Sequence, residues 1–514
     1  MLEHPPESAV LGVSPDPGPP AVAAWLPFMA MAAAVTLLGA VGALPRWAGL
    51  VHAVAPPPLD VSFDLRVLVA RSPSYGVFVA GAVASLTVRA LVLASLLEAF
   101  GDSRSLGRRF ITAARLYAVA AVLLGPAAGL EFAGLAAVYS WYAWAGLALI
   151  LLVALRLMPR AVGDGRPLTP VWALAGLAGL GALAEAAGGV SPVALVPVSA
   201  VFTAFVLRRM RRRTTSFSPA VALVLVAVLL VGSTPAASGP ITPETTLLLV
   251  PGVDTASGEG ALFRFRPAQM GIGCERVFYY SYFGPGKGAS RGEAPCPLRF
   301  HAPYGKGDTQ RPLGELVDAF ARQVARIRSK TAGAPVAVVS HSQGAVIAWA
   351  AVASGAAEGV SHLVSLAGFP HSPVGYPQRG TDGEGRVGAD VLRLLSAASR
   401  GLGEGTFSPD APLARQILAR PDGLEDVFSR SLPAGVTAAT VSTSFDVIAA
   451  PEGSRIPGVQ GWTVDATHVN LVESADMYAA VGAVLRGQDP PEQSLLGRVI
   501  DVTVHAFMPP PAGA

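Results

Sequence analysis

The 514 residues of this chain are too many for one ordinary domain. It is 52% hydrophobic and only 14% charged, with a mean hydropathy of +0.48; soluble domains carry about 25% charged residues, so part of the chain is expected in lipid. The net charge is +3 and no aromatic residues interleave with basic ones, so there is no nucleic-acid footprint and no such partner is expected.

Residues 1–21 are Pro-rich and polar, without a core-forming pattern, and read as a disordered tail. Long apolar runs follow over 22–238. Seven stretches approach the roughly 20 residues that cross a hydrocarbon core. They fall at about 22–44, 76–98, 110–130, 133–155, 169–187, 190–207 and 217–236. The first lacks the basic leader of a signal peptide. The loop after the second stretch carries Arg104, Arg108 and Arg109. The loop after the fourth carries Arg156, Arg160 and Arg166, and a basic run at 208–213 follows the sixth. Alternate loops are therefore basic, which places them, and the N-terminus, on the cytoplasmic side. Everything after the seventh stretch then lies outside; the mixed loop at 45–75, with Arg46, Arg66 and Arg71, runs against the pattern. Arg89 and Arg115, inside the second and third stretches, read as snorkelling side chains.

From 239 to 490 the pattern changes to alternating short apolar runs and helical periodicities, as in a doubly wound parallel sheet. Residues 246–250 form an unbroken apolar run, ended by Pro251-Gly252-Val253-Asp254. A second strand is expected at 276–282, and Leu313, Leu316, Val317, Phe320, Val324 and Ile327 fall at helical spacing. Strands follow at 335–340, 362–367, 436–441 and 463–465, with a closing helix at 475–485. Between 372 and 433 lies a Gly/Pro-broken helical insertion. Its apolar positions, among them Leu392, Leu395, Leu413 and Ile417, either face an acyl chain or pack on the core. Residues 491–514 read as a tail.

The run Val336-Ala-Val-Val-Ser340-His341-Ser342-Gln343-Gly344 is a buried strand followed by small residues and a helix. Such a strand, sharp turn and helix form a nucleophile elbow, with Ser342 at its apex. The usual first glycine is replaced by Ser340. A nucleophilic serine needs a base and a carboxylate to hold the base, in chain order serine, acid, histidine. Asp446 and His468 stand in that order just past later strands. Asp465 and Asp426 are rival acids, and His341, His371 and His505 rival histidines. The backbone N–H groups of Gln343 and Val253 are the expected oxyanion donors. Cys274 and Cys296 lack the nearby Cys and His partners of a metal site. They are expected to be bonded to each other if the domain is outside the membrane. No metal or cofactor is expected.

Residues 244–487 resemble the α/β-hydrolase superfamily, in its bacterial lipase/esterase-like branch. The resemblance is carried by Leu249-Val-Pro-Gly252, Ser340-His-Ser-Gln-Gly344, Leu363-Val-Ser-Leu-Ala-Gly368, Phe445-Asp446 with Pro451, and His468. It implies a serine enzyme acting on an acyl ester or lipid, with 372–433 as its cap. The expectation is a multi-pass protein of the cell membrane, its partner the bilayer, with the hydrolase domain extracytoplasmic. An envelope acyltransferase with the same triad, and a non-catalytic ligand sensor, are the alternatives. On this reading a C-terminal alkaline phosphatase fusion should be active and a C-terminal green fluorescent protein fusion dark. The reverse pair of results would overturn the orientation.

Overall fold

A computed structural model describes residues 61–99, 104–134, 245–370, 375–403, 405–419, 423–443, 446, 454–490, 493 and 498. The expected tail at 1–21, five of the seven expected spans and nearly all of the tail at 491–514 lie outside the described residues, as do His371 and His505.

The first described unit holds three helices: α1 (Val61–Arg71), α2 (Tyr75–Ala99) and α3 (Leu106–Gly134). Among the described residues one stretch, Tyr75–Ser95 in α2, is long and apolar enough to cross a membrane. A seven-span domain is therefore not supported by what is described. Val77, Val79, Val83, Val88 and Val92 of α2 are exposed, as a lipid-facing side would be. Its other side closes with α1 and α3 over Val61, Leu65, Ala90, Leu93, Ala113 and Tyr117.

Two expectations change here. The stretch 45–75, read as a loop, contains α1. Its apolar stripe of Val61, Leu65 and Val69 is short and broken by Asp64 and Arg66, which hid it in the sequence. Nor does Arg89 simply snorkel: its Nε lies 2.7 Å from Asp64 Oδ2 and its second guanidinium nitrogen 2.8 Å from Oδ1. Ser85 also donates to Asp64 Oδ2. A forked pair of this kind lowers the cost of carrying a charge away from water.

The second unit is built on a six-stranded sheet of order β2-β1-β3-β4-β5-β6, parallel throughout. The strands are β1 (Thr246–Val250), β2 (Val277–Tyr279), β3 (Val336–His341), β4 (Val360–Leu366), β5 (Thr437–Thr443) and β6 (Gln460–Val464). β1 and β3 are buried at every position, the pattern of strands covered on both faces. Helices α4 (Leu313–Lys330) and α5 (Gln343–Ala353) precede and follow β3. The insertion supplies α6 (Arg386–Gly401), α7 (Pro412–Ile417) and α8 (Gly423–Phe428), and α9 (Ala475–Leu485) closes the fold. α4 lays Leu316, Phe320, Val324 and Ile327 into the core, and α5 and α9 are buried along most of their length. The chain leaves β1 toward β2, then returns to place β3 on the other side of β1. The crevice at the carboxyl ends of β1 and β3 is thus a topological switch point, where open α/β sheets bind their ligands.

The insertion divides its contacts. Leu413 and Ile417 of α7 and Leu424, Val427 and Phe428 of α8 join the main core. α6 instead packs against α1, α2 and α3, with Val387 buried on Val69 and Ala70. Backbone hydrogen bonds from Gly383 to Pro73 and from Arg386 to Ser72 extend this junction. The Tyr75 hydroxyl donates to Asp390 Oδ2 at 3.0 Å.

Cys274 and Cys296 form a disulfide with a Cα–Cα separation of 5.3 Å, closing a loop around β2. That loop is better ordered from within than its glycines suggest. Tyr279, Tyr280 and Tyr282 are fully buried, and the Tyr280 hydroxyl donates to the Leu316 carbonyl at 2.9 Å. Replacing both cysteines with serine should lower stability by about 3 kcal/mol on chain-entropy grounds, with the fold retained. Denaturant unfolding of wild type and variant in the same detergent measures it.

Candidate active site

Strand β3 ends at His341 and helix α5 begins at Gln343, so the whole change of direction falls on Ser342. Its backbone sits at φ 54 and ψ −126, a strained conformation for a residue with a side chain. The Ser342 N–H is held by the Leu366 carbonyl of β4 at 2.9 Å. Position 344 has no room for a side chain. A Cβ there would lie 2.4 Å from the carbonyl oxygen of Val250 and 2.7 Å from that of Pro251. Gly252 is nearly as confined, since a Cβ there would meet Ser342 Cβ at 3.0 Å. Ser340, where a glycine is usual, fits: its hydroxyl turns to the Val364 carbonyl at 3.2 Å and is fully buried.

Asp446 and His468 are brought together. Asp446 Oδ2 accepts from His468 Nδ1 at 2.7 Å, and Asp446 is fully buried. That hydrogen bond fixes the tautomer, with the proton on Nδ1 and the Nε2 lone pair open. His468 is tied to the elbow through the neighbouring His341. His341 Nε2 donates to the His468 carbonyl at 2.9 Å, and the two rings lie 4.9 Å apart. Burial, and then the charge on His468, push the His341 pKa down to about 3, so it stays neutral. His341 is a brace for His468, a role its place in the sequence did not signal. The Ser342 hydroxyl and His468 form no hydrogen bond in this structure; in ligand-free sites such contacts are often long and tighten on substrate binding.

The two expected oxyanion donors flank the elbow. Gln343 is the first residue of α5, where backbone N–H groups have no helical acceptor. Val253 lies on the loop leaving β1. Among the described residues, neither N–H is taken by another group. The loop is held from behind: the Tyr282 hydroxyl lies 2.8 Å from the Pro251 carbonyl and 3.0 Å from that of Gly252. The Thr255 hydroxyl also donates to the Gly252 carbonyl, at 2.9 Å. With the carbonyls engaged behind, the N–H groups are left for the crevice.

The rival acids make other contacts or lie on other elements. Asp465 accepts from Gln493 at 3.4 Å, and Asp426 is on α8. A second serine–histidine contact, Ser257 to His301 at 2.9 Å, has the histidine fully buried and bonded to the Tyr279 carbonyl. Burial lowers the His301 pKa to about 4, and its place is structural. Among the described residues no group of three or more His, Cys, Asp or Glu is placed to hold a metal ion.

No protein-family model matches the chain, and no curated protein matches it. Solved structures do. Lipase B of Aspergillus fumigatus is 14% identical, with 74% of this chain and 95% of that one covered and a TM-score of 0.28. A lipase-esterase related protein from Clostridium acetobutylicum ATCC 824 is 12% identical over 48% of this chain and 95% of that one, with a TM-score of 0.27. The RedJ thioesterase of the prodiginine biosynthetic pathway in Streptomyces coelicolor is 18% identical over 49% of this chain and 95% of that one, at 0.25. These neighbours have α/β-hydrolase folds, and with scores this low nothing about substrate follows from them.

The elbow makes opposite demands at its two small positions. Gly344→Ala must displace the β1 carbonyls and should destabilise by about 1–3 kcal/mol while lowering any Ser342-dependent activity. Ser340→Gly adds no atom and should cost about 1 kcal/mol at most. Thermal melts of the two detergent-solubilised variants, set beside wild type, test the contrast.

Proposed function

We propose that this chain is a membrane-anchored serine hydrolase that cleaves an acyl ester through an acyl-enzyme on Ser342. The observation that carries the reading is the strained serine at the switch point together with a His468–Asp446 pair, tied to the elbow through His341, whose hydrogen bond leaves the histidine's Nε2 free. On substrate binding His468 Nε2 takes the Ser342 proton as the hydroxyl oxygen attacks the ester carbonyl. Asp446 holds the ring and stabilises the imidazolium that forms. The N–H groups of Gln343 and Val253 receive the oxyanion of the tetrahedral intermediate. His468 then gives its proton to the leaving alcohol. Water, activated by the same histidine, releases the acid and restores Ser342.

Anchoring rests on the apolar, outward-facing side of α2. An extracytoplasmic hydrolase domain is supported by the alternating arginine-rich loops and by the disulfide, a bond that persists in oxidising compartments. It also agrees with the contacts of residues 71–75 on α6. With the basic loops inside, the turn at 71–75 ahead of α2 falls on the same side as the hydrolase.

Ser342→Ala should abolish fluorophosphonate labelling and lower ester hydrolysis by about 10⁴-fold or more, with melting unchanged. A panel of p-nitrophenyl esters of rising acyl length reads the activity. Label that persists in the variant, or that maps to Ser340, would sink the assignment.

A further inference from the structure

Asp254 is one residue beyond the expected oxyanion donor Val253 and is left-handed, at φ 60. Aspartate tolerates that conformation better than most residues, but it is held here for a visible reason. Its carboxylate reaches out of the β1 loop to the insertion. Oδ1 accepts from the Thr406 N–H at 2.8 Å and from the Thr406 hydroxyl at 2.7 Å. Its own N–H donates to the Thr309 hydroxyl at 3.2 Å. The neighbouring Gln310 holds the same segment of the insertion. Its Nε2 donates to the Thr406 carbonyl at 2.9 Å, and its Oε1 accepts from the Ser408 N–H at 2.6 Å. The Thr309 carbonyl in turn accepts from Gln343 Nε2 at 2.7 Å.

These bonds form a chain. It starts at Val253, passes through Asp254 to Thr406, returns by Gln310 and Thr309, and ends at the Gln343 side chain. The residues that carry both expected oxyanion donors are its end points. We infer that Asp254 is a positioning residue: by clamping residues 405–408 of the cap it sets the spacing of the Val253 and Gln343 N–H groups. The inference rests on the serine-hydrolase reading above. It makes the placement of the cap a determinant of the chemical step and not only of access to the site. Stabilisation by such donors depends on their pointing where charge will develop, so a small displacement lowers turnover more than it lowers substrate binding.

The test uses the full chain in detergent micelles with p-nitrophenyl butyrate. Asp254→Ala should lower kcat by about 10- to 100-fold with KM little changed. An alkyl boronic acid, which mimics the tetrahedral intermediate, should weaken by the same factor. Asp254→Asn keeps an acceptor oxygen for both Thr406 bonds and should restore kcat to within about threefold of wild type. A loss confined to KM, an Ala variant as fast as wild type, or an Asn variant as slow as Ala would each overturn the inference. If Asp254→Ala gives no cooperative melt, Thr406→Val decides. It removes one of the two bonds from outside the β1 loop and should lower kcat about threefold or more at constant KM. An unchanged kcat there refutes the clamp. Ser342-dependent labelling of wild type separates the two failures. Without it the hydrolase reading falls, whereas with it an unaffected Asp254→Ala removes only the positioning role.

Discussion

The Val250 carbonyl oxygen occupies the space that any side chain at position 344 would need. For that contact to exist, β1 and β3 must pair in register to the end of β1, Val250 opposite Ser340. Helix α5 must then leave the sheet at once, which forces Ser342 out of ordinary backbone geometry. The same approach brings Gly252 beneath Ser342 and so puts the β1 loop within reach of that side chain. The order of the sheet, the small residues around the turn and the site at its edge all follow from this one point of crowding. The strain at Ser342 is borne by the fully buried strands around it.

Much of this was legible in the chain because its signals are local. β1 is an uninterrupted apolar run, α4 has a clean helical stripe, and α9 ends where its pattern ends. The elbow announces itself by strand, small residues and helix in direct succession. Chain order and a place just past a strand single out Asp446 and His468, and the structure joins them across 22 positions. The second strand is shorter than its apolar run, three residues where seven were expected. Tyr280 and Tyr282 are apolar for a different reason: they leave the sheet and fill the core beneath the β1 loop, where their hydroxyls find carbonyl partners.

What stayed hidden was held by contacts with no local signature. The bonds between Asp254 and Thr406 span 152 positions, and a lone aspartate after a turn gives no hint of them. Asp64 and Arg89 lie on different helices, and neither segment alone points to the other as its partner. α6 showed an amphipathic pattern but not what its apolar face would meet. Its polar face is equally committed. Asp390 takes Arg386 at 2.9 Å and Arg393 at 2.9 Å, and Arg393 turns also to Asp410 at 3.0 Å. Pairs this close to solvent stabilise only modestly, and their effect here is to hold the rotation of α6 about its axis.

The seat of α6 bears on the order in which the molecule is made. Its partners in α1 and α2 leave the ribosome some three hundred residues before it does: Tyr75 and Asp390 are 315 positions apart. The residues of α1 to α3 are therefore synthesised in full before α6, and the surface on which α6 rests is supplied by the earlier part of the chain. The change of character near residue 239 is a change in hydropathy. It is not a seam without contacts, because α6 of the later part packs on the helices of the earlier one.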